Sequence, residues 1–282
     1  MALKSSVRKR KAISAVILYA LAIIWLIPLI WSISTSFKTN YDISHNTLSL
    51  IPKQFTLDRY YELLVENPDN YPLFSWFRNS LFIAITHTVL YLIIASLASY
   101  ALSILKFKGR DTIFWLLLSS MMIPSVINLV PLVTMMVDFD WFNTFQALIV
   151  PGLGGVFGMF IMRQFFLNIP KELIESAQID GLGKFRIFIH IVVPLSTSAF
   201  MVAGLFAFLG SWNDYLWPSI ILAGTNEHML TLPVGLAKLE GANNYDYGLS
   251  MAASIISIVP VLIVYMFTQE RIIEGISHTG IK

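Results

Sequence analysis

The stretch "NSLFIAITHTVLYLIIASLASYALSIL", Asn79 to Leu105, contains no charged side chain and is long enough to settle the solvent of the whole chain. A helix needs about 20 mostly apolar residues to cross the hydrocarbon of a bilayer. Four more uncharged stretches follow the same rule: Ala12 to Phe37, Thr112 to Val137, Trp141 to Met162 and Tyr247 to Gln269. A sixth, Ile187 to Asn226, is interrupted by Asp214 alone. Composition agrees, with 56% hydrophobic and only 13% charged residues in 282. In lipid every backbone N–H and C=O must find its partner inside its own segment or in a closed barrel, and the period-2 alternation of a barrel is absent. The expectation is an all-α integral membrane protein with six transmembrane helices in a single domain, 1–282. The spans are 13–35, 77–104, 112–137, 142–163, 196–222 and 248–269.

An even number of crossings puts both termini on one side, and the basic residues say which. Five Lys and Arg lie in the N-terminal tail, three at Lys106 to Arg110, four from Arg163 to Arg186 and two from Arg271 onward. Only Lys38, Lys53, Arg59 and Lys238 fall opposite, with Arg78 at a boundary. Positive charge is retained in the cytoplasm, so both termini are expected there, in a multi-pass protein of the cytoplasmic (inner) membrane. The run after "KSSVRKRK" is too long for the apolar core of a signal peptide, about 7–15 residues, and is read as an anchor. There is no cysteine, which excludes disulfides, thiol catalysis and Cys-based metal sites. No basic, aromatic-interleaved patch points to nucleic acid.

Three local features stand out. "FTLDRYYELL" reads as a short extracytoplasmic helix capped by Thr56, with Leu57, Tyr60, Tyr61 and Leu64 on its apolar face. It either packs on its own protein or docks a partner. Ala95, Ser99 and Ser103 recur every four residues, and Gly154 and Gly158 form a GxxxG. Such ridges let helices approach closely, the alternative being a solute-pathway lining. Pro28, Pro124, Pro131, Pro151, Pro218 and Pro260 interrupt helical hydrogen bonding inside or beside the spans.

Much chemistry is missing. No G-x-x-x-x-G-K-[ST] phosphate loop exists, because Gly183-Lys184 is followed by Phe185. The five histidines are scattered without metal-ligand spacing, and no G-x-S-x-G or pair of intramembrane carboxylates suggests hydrolysis. Two titratable residues lie within spans. His87 is either a hydrogen-bonded structural imidazole or a proton relay. Asp214, with Trp212, Asn213 and Tyr215 beside it, is a pathway or gate candidate or a structural hydrogen-bond or ion-pair partner. A carboxylate facing lipid costs at least about 2.5 kcal/mol, so Asp214 should face protein or solute.

The longest informative polar stretch is "ELIESAQIDGLGKFRIFIHIVVPL", Glu172 to Leu195, in the connection 167–194 between the fourth and fifth spans. Pro170 suits a helix start and Gly181 the left-handed residue that ends one. Leu173, Ile174 and Ala177 fall on one side, with Lys171, Glu172, Glu175 and Gln178 on the other, so the helix is amphipathic. A second apolar-rich segment, Phe185 to Val193, follows the glycine corner. Periodicity alone leaves a plain interfacial helix and a docking element equally open.

Spacing adds a resemblance. Glu175-Ser176-Ala177, then Gly181, Ile191 and Val193-Pro194, resemble the E-A-A-x(3)-G-x(9)-I-x-L-P signature of membrane subunits of binding-protein-dependent ABC importers, with Ser176 and Val193 in place of Ala and Leu. "RNSLFIA", "MMIPSVINLVPL", "GSWNDYLWP", "TLPVGLA" and "EGISHTGIK" are similar to the carbohydrate branch that includes the maltose-type permeases. The resemblance implies a permease subunit for a sugar, oligosaccharide or related glycerol-phosphate-type solute. It implies that Glu172, Glu175, Ser176, Ala177, Asp180 and Gly181 belong to a coupling helix seated in an ATPase subunit. It further implies that the tail 270–282, with Gly275, Gly280 and Lys282, reaches the ATPase interface. The implied partners are a second homologous permease, two ATPase subunits that use ATP and Mg, and an extracytoplasmic solute-binding protein. This chain itself would bind no cofactor or metal and would not be an enzyme. The rival class is an ion-gradient-driven secondary transporter with His87 and Asp214 as coupling sites.

Overall fold

The computed structural model describes residues 2–66, 71–241 and 246–279. In chain order the helices are α1 (Ala2–Ser36), α2 (Asn40–His45), α3 (Asp58–Tyr61), α4 (Leu73–Ser103), α5 (Arg110–Ser120), α6 (Leu129–Asp138), α7 (Phe145–Ile149) and α8 (Val156–Phe166). They continue as α9 (Lys171–Ile179), α10 (Lys184–Ile187), α11 (Val193–Leu195), α12 (Thr197–Trp212), α13 (Leu216–Ile221), α14 (Leu232–Gly241) and α15 (Tyr247–Thr279). Among the described residues there is no strand, only an isolated bridge between Lys38 and Phe55.

Three helical stretches are each long and apolar enough to cross a membrane alone: Lys11–Ser36, Leu73–Ser103 and Tyr247–Glu270. Three further crossings need bent pairs: Arg110–Ser120 with Ser125–Asp138 at 88°, Phe145–Gly154 with Val156–Phe166 at 43°, and Lys184–Leu195 with Thr197–Ile221 at 81°. The stretches 112–137 and 142–163 are therefore not continuous helices, and 196–222 has a second interruption after Trp212. Proline explains several of these breaks, since its ring collides with the carbonyl four residues earlier. α5 stops at Ser120, four before Pro124. α12 stops at Trp212, just short of the residue four before Pro218. Ahead of Pro194 the helix widens into a π turn, Phe188–Val192, which accommodates the missing donor. Pro28 and Pro260, by contrast, sit inside unbroken helices.

The chain divides into two compact units. One comprises residues 1–73 and 236–259. Its α1 exposes apolar side chains on every side between Ile13 and Ile33, while its end, Ser34 to Ser36, is buried. The segment after it is built tightly around polar groups. Lys38 is fully buried, its ammonium donating to the carbonyls of Ser49 and Asn46. Buried Asp42 accepts from the Lys53 backbone N–H at 2.8 Å and the Asn46 amide at 3.0 Å. Arg59 bridges Glu62 and Asp246 at 3.3 and 3.0 Å. Thr56 Oγ1 accepts from the Asp58 N–H, although the residue in the cap position of α3 is Leu57, not Thr56. The expected apolar face of this helix is corrected as well. α3 opens into a π turn over Glu62–Glu66, which shifts the phase; Leu63 is buried while Leu57, Tyr61 and Leu64 are exposed.

The other unit, 74–235 and 260–282, holds the larger core. Ala95, Ser99 and Ser103 form a buried ridge on α4, and Ser99 Oγ shares its one proton between Ala95 O and, at 2.8 Å, Met159 O of α8. Where α8 meets α4 the working glycines are Gly155 and Gly158, not Gly154 and Gly158. The Tyr91 ring lies against both, and its hydroxyl accepts from the Gly158 N–H at 2.7 Å, whereas a Cβ on Gly154 would meet nothing. At the start of α4, buried Trp76 donates to Glu227 O at 2.8 Å and Asn79 to Leu230 O at 3.0 Å. These bonds, with Ser80 Oγ accepting from the Leu232 N–H, pin the segment before α14.

Candidate functional site

The corner after α9 is closed by a glycine cap. α9 runs Lys171–Ile179, preceded by Pro170 in extended conformation, and Asp180 ends it. Gly181 follows at φ +82°, in the left-handed region that glycine enters at no steric cost. The Leu182 N–H donates to Ala177 O at 2.9 Å and the Gly181 N–H to Gln178 O at 3.0 Å, the two bonds of a Schellman cap. Ala177 and Leu182 both join the core, which supplies the hydrophobic contact that accompanies such caps. No atom lies near the space a Gly181 Cβ would fill, so a substitution there strains the backbone and nothing else.

Ile174 and Ala177 are buried, anchoring α9. Glu172, Glu175, Ser176, Asp180 and Gly181 are exposed. Leu173, expected on the inner side, is exposed as well, and Ile179 is 86% exposed. The outer surface of α9 thus mixes carboxylates with bare aliphatic side chains, because its buried stripe is only two residues wide.

Residues that periodicity did not single out hold the segment after the corner and the end of α4. Tyr100 at the end of α4 donates to Lys184 O at 2.8 Å and packs its ring 5.1 Å from that of buried Phe188. Arg163 donates to Leu102 O at 3.1 Å, pairs with Asp111 at 3.2 Å and lies 3.8 Å above the Phe114 ring. Arg110 donates to Ser103 O at 3.3 Å. Two arginines therefore satisfy the last carbonyls of α4, which would otherwise end unpartnered. Their only trace in the sequence is a basic residue at the edge of an apolar run, which topology alone explains.

The second arrangement is a cavity of about 360 Å³. His87 of α4, Ser125 and Asn128 of the broken α5–α6 pair, Gly152 between α7 and α8, and Ser211, Asp214 and Trp217 around the α12–α13 break all line it. Asp214 does not lie within a helix: it sits in the break, and its Oδ1 accepts from the Trp217 N–H at 3.4 Å. Among the described residues no cation pairs with it, so of the two structural roles expected for Asp214 the hydrogen bond is observed. His87 Nδ1 is buried without a hydrogen-bond partner. Trp212 points elsewhere, buried between Phe208 and Phe77, while Asn213 and Tyr215 are exposed. In the tail, Gly275, a residue type that by sequence suits a turn, lies inside α15, which continues to Thr279; Gly280 and Lys282 lie outside the described residues.

Residues 93–277, which include both the corner and Asp214, match the family described as binding-protein-dependent transport system inner membrane component. The arabinooligosaccharides transport system permease protein AraQ of Halalkalibacterium halodurans is 35% identical over 264 residues, 93% of each chain. The trehalose/maltose transport system permease protein MalG of Thermococcus litoralis is 32% identical over 265 residues, again 93% of each. A chain in the crystal structure of a bacterial ABC transporter involved in the import of the acidic polysaccharide alginate superposes with TM-score 0.82 at 23% identity, covering 93% of this chain and 96% of that one. The chain belongs to the family of binding-protein-dependent transport system inner membrane components, the membrane permeases of ABC importers.

Proposed function

We propose that this chain is one permease subunit of an ATP-driven importer that carries a sugar, an oligosaccharide or a related glycerol-phosphate-type solute across the cytoplasmic membrane. Its six crossings, counting each bent pair as one, leave both termini in the cytoplasm, where the corner after α9 also lies. It works with a second homologous permease, two ATPase subunits and an extracytoplasmic binding protein, and hydrolyses no nucleotide itself. Supporting the solute class are the sugar permeases among its relatives.

The observation that carries the coupling role is the contrast on α9: Ile174 and Ala177 are buried while Glu172, Glu175, Asp180 and Ile179 are presented outward from a glycine-capped corner. A helix held from within and bare outside transmits displacement as a rigid body. Closure of the ATPase pair moves α9, the Tyr100 and Arg163 ties carry that movement to α4 and α8, and the crossings alternate between inward- and outward-facing states. Ser176 and Gly181 complete the coupling set, with the end of α15 as a second contact.

Reconstituted complex in vesicles tests this. Uptake of arabinotriose or maltose is expected with ATP inside and no ion gradient. Glu175→Lys should leave the protein in the membrane while reducing both ATPase co-purification and uptake. Full ATPase binding and uptake by that variant would return α9 to a plain interfacial helix; uptake driven only by an ion gradient would reject the importer reading.

A further inference from the structure

The geometry points to a solute site within this chain itself, in the cavity around Asp214, built for a neutral polyhydroxylated ring and not for an anion. The sugar class rests on the importer reading above; the place and the charge preference rest on the cavity.

Three helical breaks converge there, between α5 and α6, between α7 and α8, and between α12 and α13. Non-helical backbone at membrane depth is tolerated only where it is buried in protein or lines a cavity, and these three breaks line the same one. At about 360 Å³ the space lies at the lower end of the range for ligand pockets, suited to a single sugar unit more than to a long chain. The lining is largely apolar with a few polar groups that converge, the usual composition of a pocket that orients a small molecule.

Those groups match hydroxyls. One Asp214 oxygen is held by the Trp217 N–H, and the other has no partner among the described residues. His87 lines the cavity with its ring packed against Gly152, where a Cβ would come within 2.7 Å of Nε2. Ser125, Asn128 and Ser211 add groups that both donate and accept. Trp217 has its indole N–H committed to Ala147 O at 2.8 Å, so what it offers the cavity is its ring, a surface for the apolar face of a sugar. No lysine or arginine lines the space, so a phosphate or uronate would meet the Asp214 carboxyl with no counter-charge.

The chain has no cysteine, which makes a direct test available. In the assembled complex Ser211→Cys places a thiol on the lining, Asn128→Cys a second one on a different element, and Ser44→Cys an exposed control in the other unit. Labelling by a charged methanethiosulfonate is followed with and without arabinotriose, maltose, diacetylchitobiose or digalacturonate, alongside uptake of each by the wild-type complex. A neutral sugar that is taken up should slow labelling at 211 or 128 several-fold, and should not protect position 44. Digalacturonate should protect neither lining thiol. Adding Asp214→Asn should raise the half-protecting concentration about tenfold, the loss of one hydrogen bond to a charged group. Uptake without protection at either lining thiol would overturn the site while leaving the importer reading standing. Equal protection by digalacturonate, or an unchanged half-protecting concentration with Asp214→Asn, would overturn it as well. Protection without uptake of any sugar would keep the site and remove the importer reading.

Discussion

Two places in the larger unit interrupt a helix, and they do so with opposite economy. At the corner after α9 the chain turns on Gly181, both orphan carbonyls are taken up by the Schellman bonds, and Tyr100 anchors the next segment. At the break after α12 no glycine cap forms. Asn213 to Tyr215 bridge to α13, Asp214 makes one long hydrogen bond, and a cavity opens beside it. Saturated polar groups make a rigid element, because any alternative geometry forfeits bonds already made. Unsaturated polar groups beside empty space leave affinity for something else. The first arrangement suits a lever, the second a binding place.

Removing the arginine tie at the end of α4 should cost most. Arg163→Ala deletes the bond to Leu102 O, the ion pair with Asp111 and the stacking on Phe114 together, and leaves a helix-end carbonyl unsatisfied. A loss of about 3 kcal/mol is expected, read as a lowered thermal midpoint of the detergent-solubilised protein. Arg163→Lys should recover only part, since an ammonium cannot reproduce the planar fork. An unaltered midpoint in Arg163→Ala would show that the tie carries no load.

The glycine contrast comes next. Gly158→Ala drives a Cβ into the Tyr91 ring and should destabilise by about 1–3 kcal/mol, whereas Gly154→Ala, with open space around it, should stay near the parent. Equal effects at 154 and 158 would restore the simple GxxxG reading. At the corner, Gly181→Val introduces about 1–2 kcal/mol of backbone strain and no clash. Membrane level should remain normal while ATPase co-purification falls, and Gly181→Asn should retain more of it, since Asn tolerates the left-handed region. If co-purification follows membrane level in all three proteins, the geometry of the corner is irrelevant to docking.

Smallest is Tyr100→Phe, which keeps the ring against Phe188 and loses a single neutral hydrogen bond, about 1 kcal/mol. Its midpoint shift should be a fraction of that in Arg163→Ala. A larger shift than that of Arg163→Ala would show that the Tyr100 tie to α10 outweighs the arginine tie to the end of α4.

What could be known from the residues in order was whatever repeats or terminates locally. Uncharged runs of bilayer length, proline positions, the Gly181 stop and the spacing from Glu175 to Pro194 are all properties of neighbours along the chain; the Gly181 stop is observed, and three of the six apolar runs are long continuous helices while the other three are bent pairs. Faces were less legible. On α3 and the turn after it Leu57, Tyr61 and Leu64 are exposed and Leu63 is buried; the π turn over Glu62–Glu66 changes the angular advance per residue from Glu62 onward, which a regular helical period does not anticipate. Leu173 is exposed because the neighbouring core covers two positions of α9, a width that no helical period specifies.

Long-range partners were invisible for a related reason. Tyr91 selecting Gly155 over Gly154, Arg163 reaching the last carbonyls of α4, and His87 and Asp214 sharing one cavity each join residues 60 or more positions apart. The order of residues alone was enough to show long apolar membrane helices, the stop at Gly181 and the family spacing from Glu175 to Pro194. Only the tertiary structure decided that three separate breaks open onto one space, because helix register and rotation are settled by side chains packing against other helices, not by the order of residues within any one of them.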